Sequence, residues 1–146
     1  MLALLQRVTE AAVRVDDAVV GAIGPGLLAL VAIEPGDTEG QLYRLAQRML
    51  GYRIFEDDAG KMNRSLTDIG GKLLLVSQFT LAADTRSGMR PSFTTAAPPA
   101  EAEQRFTRLL TICRQLHPPG VATGRFGAHM VISLVNDGPA TFLLRP

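Results

Sequence analysis

The chain has 146 residues, 47% hydrophobic and 20% charged, a balance suited to a soluble globule with enough core to fold unaided, so a single domain over residues 1–146 is expected. Its 15 Lys plus Arg against 14 Asp plus Glu leave a formal net charge of +1, which excludes a strong global field for nucleic acid but allows a local basic patch. The one cysteine, Cys113, has no internal disulfide partner, and no apolar run approaches the roughly 20 residues that span a bilayer, so a reducing cytoplasmic setting without membrane insertion is expected.

Leu2 to Val8 reads as a first strand, and Ala12–Val15 with Val19–Ile23 as a hairpin around Asp16-Asp17. Gly24-Pro25-Gly26 turns the chain into Leu27–Ile33, a continuous apolar run that predicts a strand covered on both faces. Asp37 or Thr38 can cap a helix from Glu39 to Leu50, whose Leu42, Leu45, Ala46, Met49 and Leu50 share one face, with Gly51 as its stop. Tyr52–Phe55 predicts a short strand, Glu56–Gly60 a turn and Lys61–Leu66 a polar return. Lys72–Val76 is the second fully covered strand. The loop that follows carries Arg86 and Arg90, groups apt for phosphate but equally common on a solvated surface. A second helix is predicted over Ala100–Leu116, with Phe106, Leu109, Leu110 and Cys113 as its buried stripe. Met130–Val135 predicts a strand, Asn136–Pro139 a turn, and Ala140–Leu144 a closing strand. The resulting fold class is α+β: a curved, mostly antiparallel, barrel-like sheet packed with two main helices.

The chemistry concentrates where the strand at Lys72 ends. Ser77, Gln78 and Thr80 follow directly on an apolar run, and a buried polar group left unpaired costs about 1–3 kcal/mol, so the cluster either satisfies local backbone or faces a ligand. On these residues alone, backbone capping is the commoner outcome. Only His117 and His129 are present, with no Cys pair and no carboxylates at ligand spacing, so no metal site is expected. His117, beside Pro118-Pro119, is expected at the surface, and His129 in a structural role. Phosphate-loop, dinucleotide and nucleophile-elbow motifs are all absent, which leaves backbone groups, hydroxyls or the substrate itself to carry any catalysis. Gly138-Pro139 is the second unusual signal. An X-Pro bond in a folded protein is cis in only about 5–6% of cases, so trans is the default; a cis bond can bring the Gly138 and Pro139 carbonyl oxygens to one side as paired acceptors for an ammonium.

Leu5-Gln6-Arg7-Val8, Gly51-Tyr52-Arg53-Ile54-Phe55, Gly60-Lys61-Met62-Asn63, Ser77-Gln78-Phe79-Thr80-Leu81, Arg90-Pro91-Ser92-Phe93, Thr123-Gly124-Arg125-Phe126-Gly127 and Ser133-Leu134-Val135-Asn136-Asp137-Gly138-Pro139 occur in one order and spacing. Together they resemble the D-aminoacyl-tRNA deacylase family over nearly the whole chain. The resemblance implies a homodimeric hydrolase, without metal or cofactor, that cleaves the ester between a D-amino acid and the 3′ adenosine of tRNA. It further implies that Ser77, Gln78, Phe79 and Thr80 of one subunit meet a cis Gly138-Pro139 of the other. In that arrangement Gly138 and Pro139 hold the α-amino group and exclude an L side chain, Arg7 pins the dipeptide, and Phe79 and Met130 bind the adenosine. Gln78 and the backbone amides near Phe79 and Thr80 stabilise the oxyanion, and Thr80 orients an attacking water rather than acting as nucleophile. Ala140, where the family usually has Val, and His129, where an acidic residue is common, depart from the pattern. Two other readings stay open: an editing deacylase with a trans Gly-Pro step acting on small L-aminoacyl or glycyl esters, and a non-catalytic RNA-binding dimer.

Overall fold

The computed structural model describes residues 1–146. Its frame is set by β1, which runs unbroken from Leu2 to Val15 where two strands were predicted. The polar pair Thr9-Glu10 interrupts the apolar pattern without ending the strand, because there β1 exchanges neighbours. Leu2–Val8 pairs with β3 (Gly26–Ala32), and Ala11–Val15 pairs on the same side with β2 (Ala18–Ile23). Asp16 and Asp17 make the hairpin expected of them, both at positive φ (48° and 62°), where Asp is among the better-tolerated residues.

β3 lies parallel to β6 (Lys72–Ser77), and β6 is parallel in turn to β7 (Val121–Thr123). The main sheet is therefore mixed, its antiparallel pairs all centred on β1. Both continuous apolar runs are covered on both faces, as predicted. Leu27, Ala29, Val31, Leu73 and Leu75 point toward the helices, while Leu28, Leu74 and Val76 join Val8, Val13 and Ile23 in a smaller core on the other face. The sheet curls around that smaller core until β2 nearly meets β7. A Cβ on Gly21 would stand 2.3 Å from the Thr123 carbonyl oxygen, so only glycine permits the approach.

Helix α1 (Glu39–Gly51) begins at a reciprocal cap in which the Gln41 amide donates to the Thr38 hydroxyl at 3.3 Å and the Thr38 amide to the Gln41 side chain at 2.8 Å. After it, only Phe55–Glu56 (β4) is strand, so the predicted Tyr52–Phe55 strand is corrected; Tyr52 to Ile54 are a link outside the sheets, in which the Ile54 amide donates to the Tyr52 carbonyl at 3.1 Å. The polar return resolves into β5 (Met62–Arg64), paired with β4, and one helical turn α2 (Leu66–Ile69), capped by Ser65 and Asp68. Helix α3 spans Pro99–Leu116 and packs with α1 over the larger core. Neither helix is long and apolar enough to cross a membrane.

The closing segment also differs from expectation. Val131–Leu144 is a single strand, β8, along the second edge of β1, and Asn136–Pro139 does not reverse the chain. Instead β8 advances five positions, from Asn136 to Thr141, while β1 moves two, from Val8 to Gln6. The extra residues bulge outward, and the Gly138-Pro139 bond within them is cis.

His117 is buried, not at the surface: its Nε2 donates to the Gly71 carbonyl oxygen at 2.7 Å, tying the end of α3 to the turn before β6. Its Nδ1 has no partner. Cys113 is fully buried, and burial pushes its thiol up to about 12. A thiol-specific alkylating reagent at pH 8 is expected to leave the native protein unlabelled and to modify Cys113 once denaturant is added; rapid labelling of the folded chain would contradict this packing.

Candidate functional site

At the end of β6 the chain leaves the sheet abruptly. The Gln78 amide donates to the Val31 carbonyl at 2.7 Å, and Phe79–Ala82 then wind into a single 3₁₀ turn held by Leu81 N–H donating to the Gln78 carbonyl. The amides of Phe79 and Thr80, first in that turn, have no partner within it and no side-chain cap. The Gln78 side-chain amide donates to the Thr80 hydroxyl at 2.5 Å, so this cluster does more than cap backbone. Two adjacent N–H groups unpaired within the turn, beside a hydroxyl, form a ready donor set for a developing oxyanion.

Beside this turn lies a cleft of about 370 Å³. It is lined by Ser77, Gln78 and Phe79, by Phe106 of α3, and by Phe126 and Met130. Phe106 and Phe126 are in ring contact, with centroids 6.1 Å apart. None of the lining residues is ionisable. Phe79 is 56% exposed, so its ring is not part of the core.

A second cluster surrounds the β8 bulge. Arg7 is only 6% exposed; its Nη1 donates to the Ile54 carbonyl at 2.7 Å and its Nε to the Asp137 carbonyl at 3.1 Å. The same Nε lies 3.0 Å from the Asp137 carboxylate. The Asn136 side chain closes the clamp from the other direction, donating to the Arg7 carbonyl at 2.9 Å. Gly138 and Pro139 themselves are exposed.

The family model for D-Tyr-tRNA(Tyr) deacylase matches residues 4–145. The chain belongs to the D-aminoacyl-tRNA deacylase family. It is 77% identical to the D-aminoacyl-tRNA deacylase of Stenotrophomonas maltophilia (strain R551-3) and 74% identical to that of Xanthomonas campestris pv. campestris (strain 8004), each over the full length of both chains. Among solved structures it is similar to one described as c-Myc DNA Unwinding Element Binding Protein, with TM-score 0.95, 37% identity, and coverage of 100% of this chain and 99% of the other. A probable eukaryotic D-amino acid tRNA deacylase shares the fold, with TM-score 0.87 at 17% identity over 98% and 97% of the two chains.

Of the residues singled out by resemblance to the deacylase family, Ser77, Gln78, Phe79 and Met130 share the cleft, with Thr80 tied to it through Gln78. Arg7 and the Gly138-Pro139 step form the separate bulge cluster, and neither Gly138 nor Pro139 lines the cleft of its own chain. Arg7 is buried although it stands on the first strand as a charged residue. Phe126 and Phe106 line the cleft but carried no site role in the sequence reading. Phe106 lay on a helix stripe indistinguishable from core, and only the Gly124–Gly127 block flagged Phe126. Ala140 is fully buried beneath the bulge, so that departure from the family pattern affects packing rather than an exposed wall. His129 is exposed.

Proposed function

We propose that the protein hydrolyses the ester between a D-amino acid and the 3′-terminal adenosine of tRNA, acting as a homodimer in which Gly138 and Pro139 of each subunit enter the cleft of the other. One observation carries the reading: the dipeptide is displayed outward on a bulge clamped by Arg7 and Asn136, yet it has no place in its own chain's cleft. β8 supports a second copy, because its outer edge pairs with no strand and it exposes Val131, Val135 and Leu143.

In this arrangement the Gly138 and Pro139 carbonyl oxygens accept hydrogen bonds from the substrate ammonium, and their backbone occupies the space an L side chain would need. The adenine stacks on Phe79, with Met130 against the sugar side of the same cleft. The amides of Phe79 and Thr80, with Gln78, meet the oxyanion of the tetrahedral intermediate; each such donor contributes roughly 10²–10³ in rate. No ionisable side chain lines the cleft, so the proton handling falls to the substrate. The terminal 2′-OH assists a water that attacks the ester carbonyl, and Thr80 orients that water.

The test is release of one amino acid from matched D- and L-aminoacyl-tRNA. The D ester is expected to be cleaved on the order of 100-fold faster or more, since a steric clash against the L side chain is worth several kcal/mol. Equal release of both enantiomers would defeat the chiral reading, and release of neither would favour a non-catalytic RNA-binding dimer.

A further inference from the structure

Phe79 lines the cleft, but the aromatic packed against it does not. Phe93 meets Phe79 with ring centroids 5.2 Å apart at 57°, is itself 43% exposed, and stands outside the lining of the cleft. Two large apolar rings left in water side by side at the mouth of a cleft are costly to display without a partner.

The segment that presents Phe93 is firmly tied. Asp84 and Ser92 exchange two backbone hydrogen bonds at 2.8 and 3.0 Å, the Thr95 hydroxyl donates to the Ala82 carbonyl, and the Ala97 amide donates to Ile33 at 3.3 Å. Phe93 is therefore held where it is by the loop's own ladder and not by side-chain packing alone. The loop is also cationic. Its one acidic residue, Asp84, is engaged by both nitrogens of the Arg86 fork at 2.9 and 2.6 Å, while Arg90 has no acidic partner. Stacked aromatics interleaved with unpaired arginine are the chemistry of a surface that takes single-stranded nucleic acid without reading its sequence.

We propose that Phe93 and its loop form an outer stacking site for the unpaired nucleotide that precedes the terminal adenosine, continuing the platform begun by Phe79. The substrate follows from the deacylase reading above; the site itself follows from the aromatic pair and the loop. If the terminal base lies on Phe79 inside the cleft, the chain leaving its 5′ side passes over the next exposed ring, and Arg90 lends positive charge to the phosphate between the two.

The experiment compares two esters of the same D-amino acid, one on full-length tRNA and one on adenosine alone. Phe93→Ala is expected to raise KM for the tRNA ester about 10-fold with kcat little changed, the size of one lost base–aromatic stack, and to leave KM for the adenosine ester near wild type. Phe93→Trp should restore tRNA affinity, and Phe93→Leu, which keeps apolar bulk without a flat ring, should not. An equal loss on both esters would reduce Phe93 to a support for Phe79 and overturn the proposal, as would wild-type behaviour of Phe93→Leu. Should the wild-type protein cleave neither ester, the deacylase reading fails separately. Fluorescence anisotropy with a short single-stranded RNA then decides the outer site, and equal binding by wild type and Phe93→Ala would overturn it.

Discussion

Arg7→Ala is expected to lower kcat/KM for D-aminoacyl-tRNA by about 10²-fold, the size of effect that follows when a positioning group is displaced by roughly an ångström. The residue touches no cleft atom, so the loss runs through the bulge. Without the guanidinium the Ile54 and Asp137 carbonyl oxygens lose their charged donor, and Gly138-Pro139 loses its anchor to β1. Stability should fall by about 3 kcal/mol, mostly from the two carbonyls left without a partner. The Asp137 carboxylate adds little, because it is 51% exposed and its ion pair is screened by water. Arg7→Lys keeps the charge but cannot span both carbonyls as the planar fork does, so it should recover part of the stability and little of the activity. Denaturant unfolding together with steady-state kinetics checks both halves. An alanine variant of undiminished kcat/KM would show that the bulge does not work through Arg7.

Removing the terminal 2′-OH of the substrate is expected to slow turnover by about 10²–10⁴-fold, the usual contribution of a positioned proton-transfer group. Thr80→Val should cost far less, on the order of 10-fold, the scale of one lost orienting hydrogen bond. The asymmetry follows from the composition of the cleft, which has no ionisable side chain to serve as base, while the Thr80 hydroxyl already accepts a hydrogen bond from Gln78. Single-turnover rates on 2′-deoxy-terminated and normal substrates make the comparison. The reverse ranking, with Thr80→Val inactive, Thr80→Ser active and a trappable acyl-enzyme, would assign the nucleophile to Thr80 instead.

Local pattern was enough wherever a residue's fate depends on its sequence neighbours. The apolar runs at Leu27 and Leu73 announced strands covered on both faces, Asp37 or Thr38 announced a helix start, with Thr38 proving to be the cap, and Asp16-Asp17 announced a hairpin; all three are present. Errors arose where a segment's role depends on its partner. Thr9-Glu10 breaks the apolar pattern of β1 because the strand changes neighbours there, and Asn136–Pro139 carries turn residues yet sits inside β8, because pairing with β1 resumes beyond the bulge. His117 followed the same logic: beside a Pro-Pro stop it reads as exposed, but the end of α3 packs against the turn at Gly71.

The amino-acid order alone determined the covered strands, the amphipathic helices and the Ser77–Leu81 and Gly138-Pro139 blocks, because these express periodicity and residue chemistry over a few positions. Tertiary structure decided that Arg7 is buried and forked between two carbonyls, that Phe79 stands open beside Phe93, and that the exposed Gly138-Pro139 bulge lies outside the lining of its own cleft. The reason is physical: hydrogen-bond partners separated by 47 and 130 positions, as for Arg7 with Ile54 and Asp137, are brought together only when the sheet curls on itself.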